Sequence, residues 1–275
     1  MNGSSPPRVP TATTVPGRGP WQQQAILRPQ PEWRRLHGRS HGTRRLTAPP
    51  GRGGPTGGPV QLAVFDLDGT ITRRDTLLPY VMGFPLSTPR KLLGVLVFLG
   101  PLILFAIGRR DHGQLKSAFI RSVLAGQTRS RIEAWTAQFV PALLKQGVFA
   151  DALSTITRHK QEGALLVLMS ASTDLYVPAI GAALGFDEVI CTGVKWNGER
   201  LDGHLTTPNR RGTEKTRCFE ALRTAHPGLT TAAYGNAGSD LDHLRLADQP
   251  LLVNGSVSAR REAARLRIPC AAHWR

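Results

Sequence analysis

The stretch Val60-Gln61-Leu62-Ala63-Val64-Phe65-Asp66-Leu67-Asp68-Gly69-Thr70 decides how the rest of the chain is read. Its first six residues are mostly apolar. They end abruptly at two carboxyl side chains, a glycine and a threonine. A short apolar run that stops at turn-forming residues reads as a buried strand entering a tight turn.

Outward from that strand, residues 75–160 read mainly as helix. Ile132, Trp135, Phe139 and Leu143 recur at helical spacing behind an N-cap at Thr128, and a further helix from Asp151 to Glu162 stops at Gly163. Then the pattern changes. Ala164 to Met169 reads as a second buried strand ending at Ser170, followed by a helix from Tyr176 to Leu184 and a strand from Glu188 to Thr192. A hairpin over 194–206 turns at Asn197-Gly198. Next come a helix from Thr213 to Thr224 and a strand from Thr231 to Tyr234, which leads into Gly235-Asn236-Ala237-Gly238-Ser239-Asp240. A strand from Pro250 to Val253 and a basic helix from Ser256 to Leu266 complete the reading.

Strands alternating with helices predict an α/β fold: a Rossmann-like, mostly parallel sheet. The helical block 75–160 falls between the first two strands and reads as an inserted cap, leaving 60–74 and 161–275 as the core. Reactive groups in such sheets gather at the carboxyl ends of the strands. Asp66, Ser170 and Asn236 each stand at or just past such an end.

That placement suggests a chemistry. A phosphomonoester repels nucleophiles, so its hydrolysis needs a positioned nucleophile, a proton for the leaving oxygen and positive charge around the phosphoryl group. The Asp66 carboxylate can attack phosphorus and form a mixed anhydride. Asp68, two residues on across the Gly69 turn, can act as general acid and then base. The same carboxylates suit Mg²⁺, a hard cation that prefers oxygen. A calcium loop is excluded, because an EF-hand counted from Asp66 needs an oxygen donor at Arg74 and a glutamate at Leu77.

Phe65-Asp66-Leu67-Asp68-Gly69-Thr70 after an apolar strand resembles the first motif of the haloacid dehalogenase (HAD) superfamily. Three further motifs follow in order. Ser170, with Ala171 and Ser172, is similar to the second, a phosphate-contacting Ser or Thr. Lys215 in Gly212-Thr213-Glu214-Lys215 is similar to the third, a lysine that steadies phosphate and nucleophile. Residues 234–240 are similar to the acidic fourth. The helical insert and the Ser-Ala-Ser run resemble subfamily IB, which contains phosphoserine phosphatase. The resemblance implies an Mg²⁺-dependent phosphatase with Asp66 and Asp68 catalytic. It puts Thr70, Ser170, Ala171 and Lys215 on the substrate, and Asp66, Asp68, Asn236 and Asp240 on the metal. Asn236 departs from the pattern, since the fourth motif usually opens with an aspartate that binds Mg²⁺. A neutral amide there removes one negative charge, which Asp242 could in part replace. The resemblance therefore also admits a catalytically impaired, anion-binding protein.

The apolar stretch Leu92 to Gly108 has no charge and lies between Arg90-Lys91 and Arg109-Arg110. Gly100-Pro101 is expected to break or kink it. A single membrane crossing would separate Asp66 from Ser170, Lys215 and Asp240, so two readings remain. One is a buried cap hairpin. The other is two short helices dipping into a bilayer, their cations on an anionic membrane surface. The second suggests a lipid-borne phosphate. The apolar cap stretch and the Gly-x-Glu-Lys run are also similar to phosphatidylglycerophosphatase C, and that resemblance implies phosphatidylglycerophosphate as such a lipid. A soluble phosphorylated small molecule is the alternative.

Residues 1–59 carry 11 of the 21 prolines, nine arginines and a single acid, Glu32, and read as a disordered basic extension. They supply +8 of the net +16. No nucleic-acid recognition motif accompanies this charge, so no specific nucleic-acid partner is expected. Cys191, Cys218 and Cys270 have neither metal-ligand nor disulfide spacing. Each reads as a buried small hydrophobe in a reducing, cytoplasmic setting.

Overall fold

The computed structural model describes residues 60–271 and 273–275. The extension read at 1–59 lies outside the described residues. Strand β1 (Leu62–Phe65) is the centre of a five-stranded sheet, with β2 (Leu165–Thr173) on one side and β6 (Thr231–Gly235) on the other. Strand β3 (Glu188–Thr192) and strand β7 (Gln249–Leu252) form the edges, giving the order β3-β2-β1-β6-β7. Every pairing is parallel. A separate antiparallel hairpin joins β4 (Val194–Asn197) to β5 (Arg200–Leu205).

All four residues of β1 are buried, as expected for a strand covered on both faces. Ala63 and Phe65 belong to one core, in which Phe65 stacks on Tyr234 and meets Phe186 edge-on. Leu62 and Val64 belong to the opposite core, with Phe219, Leu222 and Leu244. Because Phe65 is level with Leu168 of β2 and Tyr234 of β6, the next residue on each strand opens at the same end of the sheet.

Five helices intervene between β1 and β2: α1 (Leu77–Gly83), α2 (Thr88–Ala106), α3 (His112–Leu124), α4 (Arg129–Gln146) and α5 (Ala150–Gln161). The Thr128 hydroxyl caps α4 by accepting the Arg131 N–H. After β2 come α6 (Val177–Leu184), α7 (Thr213–Ala225), the short α8 (Leu241–Leu244) and α9 (Val257–Arg265).

Three expectations are corrected. The Gly100-Pro101 pair does not divide the apolar stretch, because α2 is one 19-residue helix with Pro101 inside it. A proline inside a helix removes one backbone hydrogen bond without having to end the helix, and α4 likewise runs through Pro141. Neither is α2 a buried hairpin, since Leu92 and Ile103 are 60% and 61% exposed. Of the cysteines, Cys191 and Cys218 are buried as expected, but Cys270 is exposed.

Candidate active site

Asp66 directly follows β1, and its backbone N–H donates to the Tyr234 carbonyl, extending the parallel ladder by one residue. Four residues on, the Thr70 hydroxyl donates to Asp66 Oδ2 at 3.0 Å. The turn between them needs Gly69. Its φ is +81°, and a Cβ there would lie 2.0 Å from Asn236 Nδ2. Asn254, itself in the left-handed region at φ 51°, donates to the Gly69 carbonyl at 3.1 Å and holds the turn from below.

Lys215 sits in the first turn of α7. Its Nζ donates to Asp66 Oδ1 at 2.6 Å and to Asp240 Oδ1 at 2.8 Å. All three groups are nearly inaccessible, with Asp66 7%, Lys215 3% and Asp240 3% exposed. The other oxygen of Asp240 accepts the backbone N–H groups of Asn236 (3.1 Å) and Ala237 (3.0 Å), so this carboxylate orders the loop after β6 as well as the lysine. Gly235 lets it approach, because a Cβ there would stand 2.8 Å from that of Asp240. Burial raises the Asp66 pKa to about 7; Lys215 opposes the rise and the Asp240 charge adds to it. Burial would also raise Asp240, but the Lys215 ammonium outweighs it and holds that carboxyl below its ordinary value. Lys215 stays charged: burial disfavours its ammonium, but the two carboxylates more than compensate.

Asp68 faces the other way, toward the cap. Its Oδ1 accepts the Thr76 N–H at 2.8 Å and hydroxyl at 2.6 Å, and its Oδ2 accepts the Ser172 hydroxyl at 2.6 Å. Burial nonetheless raises its pKa, and the hydrogen bonds only partly offset this. A carboxyl with a raised pKa beside a nucleophile is suited to giving up a proton in the transition state.

The cleft above these groups has a volume of about 170 Å³ and is walled by the core side chains and, from the cap, Asp75, Leu77, His112 and Lys116. Lys116 Nζ donates to the Ala171 carbonyl and to Asn209 Oδ1, each at 2.5 Å, which leaves one of its three donors. Burial lowers its pKa to about 8; Asp68 and Asp75 work against the drop.

Of the residues singled out from sequence, Asp66, Asp68, Ala171, Lys215, Asn236 and Asp240 line this one cleft. Thr70 lies beneath it, on Asp66. Ser170 is fully buried and not part of the lining; its Oγ accepts the Ser172 N–H at 3.0 Å. The hydroxyl that reaches the cleft from β2 is that of Ser172. Period-two alternation could not have found it, because the pairing of β2 with β3 shifts register between Met169 and Thr173. Asp242 is exposed and outside the lining. Thr76, Lys116 and Asn254 were not foreseen. Lys116 reads as one more solvated helix charge, and only the packing of α3 against the hairpin strand β5, with Nζ reaching the Ala171 carbonyl, reveals it.

The sequence profile of haloacid dehalogenase-like hydrolases matches residues 63–245, about two thirds of the chain. The chain belongs to the HAD family. It is 33% identical over 193 residues to protein CicA of Caulobacter vibrioides, covering 68% of this chain and 83% of that one. A probable phosphatase of Mycobacterium tuberculosis is 25% identical over 224 residues, covering 80% of this chain and 78% of that protein. Among solved structures, a protein of unknown function from Bordetella pertussis superposes with a TM-score of 0.65 at 17% identity, over 78% of this chain and 99% of that one. A phospho-aspartyl intermediate analogue of phosphoserine phosphatase superposes at 0.55 with 16% identity, over 79% and 95% of the two chains. The fold of this HAD hydrolase is thus that of the phosphoserine phosphatase-like members of the family.

Membership in the family implies Mg²⁺, and the donor chemistry fits. The Thr70 hydroxyl lies 3.0 Å from Asp66 Oδ2 and 3.5 Å from Asn236 Oδ1, so two oxygen donors converge there. Among the described residues, no three His, Cys, Asp or Glu side chains cluster to hold a metal by themselves. At position 236 the cleft presents a neutral amide oxygen rather than a carboxylate. Asn236→Asp is therefore expected to lower the Mg²⁺ concentration for half-maximal binding by about tenfold or more, read by calorimetric titration of the metal-free protein. An unchanged or weakened affinity would remove Asn236 from the metal site.

Proposed function

We propose that this protein is an Mg²⁺-dependent phosphatase of small phosphorylated compounds, with Asp66 as nucleophile and Asp68 as general acid and base. The observation that carries this reading is the buried Lys215 ammonium, held at 2.6 Å and 2.8 Å between Asp66 and Asp240. It fixes the Asp66 carboxylate at the strand end and leaves positive charge where a phosphoryl oxygen would arrive.

In this mechanism Asp66 attacks phosphorus while Asp68, its acidity lowered by burial, protonates the leaving oxygen. The Ser172 and Thr76 hydroxyls keep that carboxyl oriented. Asp68 then takes a proton from the water that cleaves the aspartyl phosphate, regenerating Asp66 and releasing phosphate. Asp66, Asp68, Asn236 and Asp240 would hold or orient the cation, which when bound keeps Asp66 ionised and offsets the phosphate charge. Ala171 and Lys215 flank the phosphate. Ser170 acts from behind by fixing the Ser172 backbone, and Thr70 by fixing Asp66.

The cap contribution predicts a pH dependence. Lys116 is cationic below about 8 and loses its charge as pH rises through that value. KM for an anionic substrate is therefore expected to climb above about pH 8, while Lys116→Arg carries the low-KM range several units higher. A KM profile that is the same in both proteins would take Lys116 off the substrate.

A second reading, in which the phosphomonoester is the head group of a lipid, is favoured by one observation, the exposed apolar surface of α2. Hydrolysis of a panel of phosphomonoesters with Mg²⁺, with and without liposomes, separates the two. Turnover of soluble esters alone supports the small-molecule reading. No turnover of any ester would leave an anion-binding HAD core.

A further inference from the structure

Among the described residues, α2 is the one helix long and apolar enough to cross a membrane, and only 6% of its most apolar 18-residue window is buried. It rests on α3 along a single stripe. Gly94 lies against the Ser122 carbonyl, so closely that a Cβ would come within 2.7 Å, and Phe98 meets Phe119 at 5.1 Å. The rest of its circumference presents leucine, valine and isoleucine, among them Leu93, Leu96, Val97 and Ile103 at 55–61% exposure. An apolar face of that extent on a soluble domain marks a surface that something covers.

We propose that α2 is a docking surface for an anionic lipid bilayer, lying in the plane of the interface rather than crossing it. Crossing is excluded by the sheet. β1 precedes α2, β2 follows it, and the two are hydrogen-bonded neighbours along Leu62–Phe65. Charge selects the occupant. Arg90 and Lys91 stand at one end of the helix and Arg109 and Arg110 at the other, with no acidic residue from Thr88 to Arg110. A second copy is disfavoured, because either direction of helix pairing brings cationic ends together. Anionic head groups meet the same four cations with opposite charge.

The carboxyl end of α2 also borders a groove of about 780 Å³, lined by Leu104, Arg109, Arg110, Arg121 and His204 among others. This groove and the cleft over Asp66 share Asn209 in their walls. Docking by α2 would bring the groove to head-group level. A route from the bilayer to Asp66 rests on the hydrolytic reading; the docking does not.

The test is co-sedimentation of the full chain with vesicles of phosphatidylcholine alone or mixed with phosphatidylglycerol, using wild type and Asp66→Asn in parallel. Both are expected to bind the mixed vesicles and to remain in solution with phosphatidylcholine alone, so a failed catalytic reading leaves this result intact. Arg109→Ala/Arg110→Ala is expected to weaken binding about thirtyfold. Leu96→Gln/Ile103→Gln, at exposed positions, is expected to abolish binding with an unchanged circular dichroism spectrum and unchanged turnover of a soluble ester. Absence of binding to the mixed vesicles would overturn the proposal. So would binding indifferent to phosphatidylglycerol, or a wild-type dimer in light scattering that Leu96→Gln/Ile103→Gln converts to monomer.

Discussion

Replacing Asp66 by Asn is expected to reduce turnover by at least about 10⁴-fold while leaving the protein folded. An amide of the same size keeps an acceptor for the Lys215 ammonium, and its NH₂ can donate to the Thr70 hydroxyl, which can reverse its role. What is lost is the anionic oxygen that attacks phosphorus. Stability should hold or rise. The wild-type cluster sets two carboxylates against one ammonium in a buried site, and burial already lifts the Asp66 pKa to about 7. The variant leaves a matched Lys215–Asp240 pair. Acid-quenched labelling checks the mechanism directly: radiolabelled substrate should leave phosphate on the wild-type protein and none on the variant. Full turnover in the variant would remove Asp66 as nucleophile.

The same cluster explains why much of the site could be read before the structure. Asp66, Lys215 and Asp240 are far apart in sequence, but each follows a recognisable local signal: an apolar strand ending in Asp-x-Asp-Gly, a helix start, a Gly-rich loop after a strand. In a parallel sheet the strand ends converge, so order along the chain becomes position in space. Ser170 shows where this reasoning stops. Its identity was legible, but β2 shifts register against β3 between Met169 and Thr173, and that irregularity, which brings Ser172 rather than Ser170 to the cleft, carries no clear mark in the sequence. Lys116 was not legible at all. A lysine on an amphipathic helix carries no mark of the surface it will face, and its cleft position comes from tertiary packing of α3. The helix α2 was misread because an internal proline disfavours a helix without forbidding it, as Pro141 inside α4 also shows.

Lys215→Met should have the larger effect on the fold. The methionine fills nearly the same space but leaves Asp66 and Asp240 facing one another without the ammonium that lay 2.6 Å and 2.8 Å from them. Removing one partner of a buried ion pair costs about 3–5 kcal/mol. Two carboxylates left in a buried site cannot both stay ionised, so the pKa of one rises further. That fixes the pH dependence. The unfolded chain ionises both carboxyls near pH 4, whereas the folded variant retains a proton to higher pH. The folded variant then binds more protons than the unfolded chain; wild type also holds a proton on Asp66 up to about pH 7, so the stability deficit of the variant against wild type should widen chiefly above that value, toward pH 8 and beyond. Urea titrations across that range measure it. If Lys215→Met alone does not fold, Lys215→Met/Asp240→Asn decides the matter. It removes the surplus charge and should recover part of the lost stability but none of the turnover, since the cation beside the nucleophile is still missing. A single variant as stable as wild type at pH 8 would mean that Lys215 does not bind these carboxylates together.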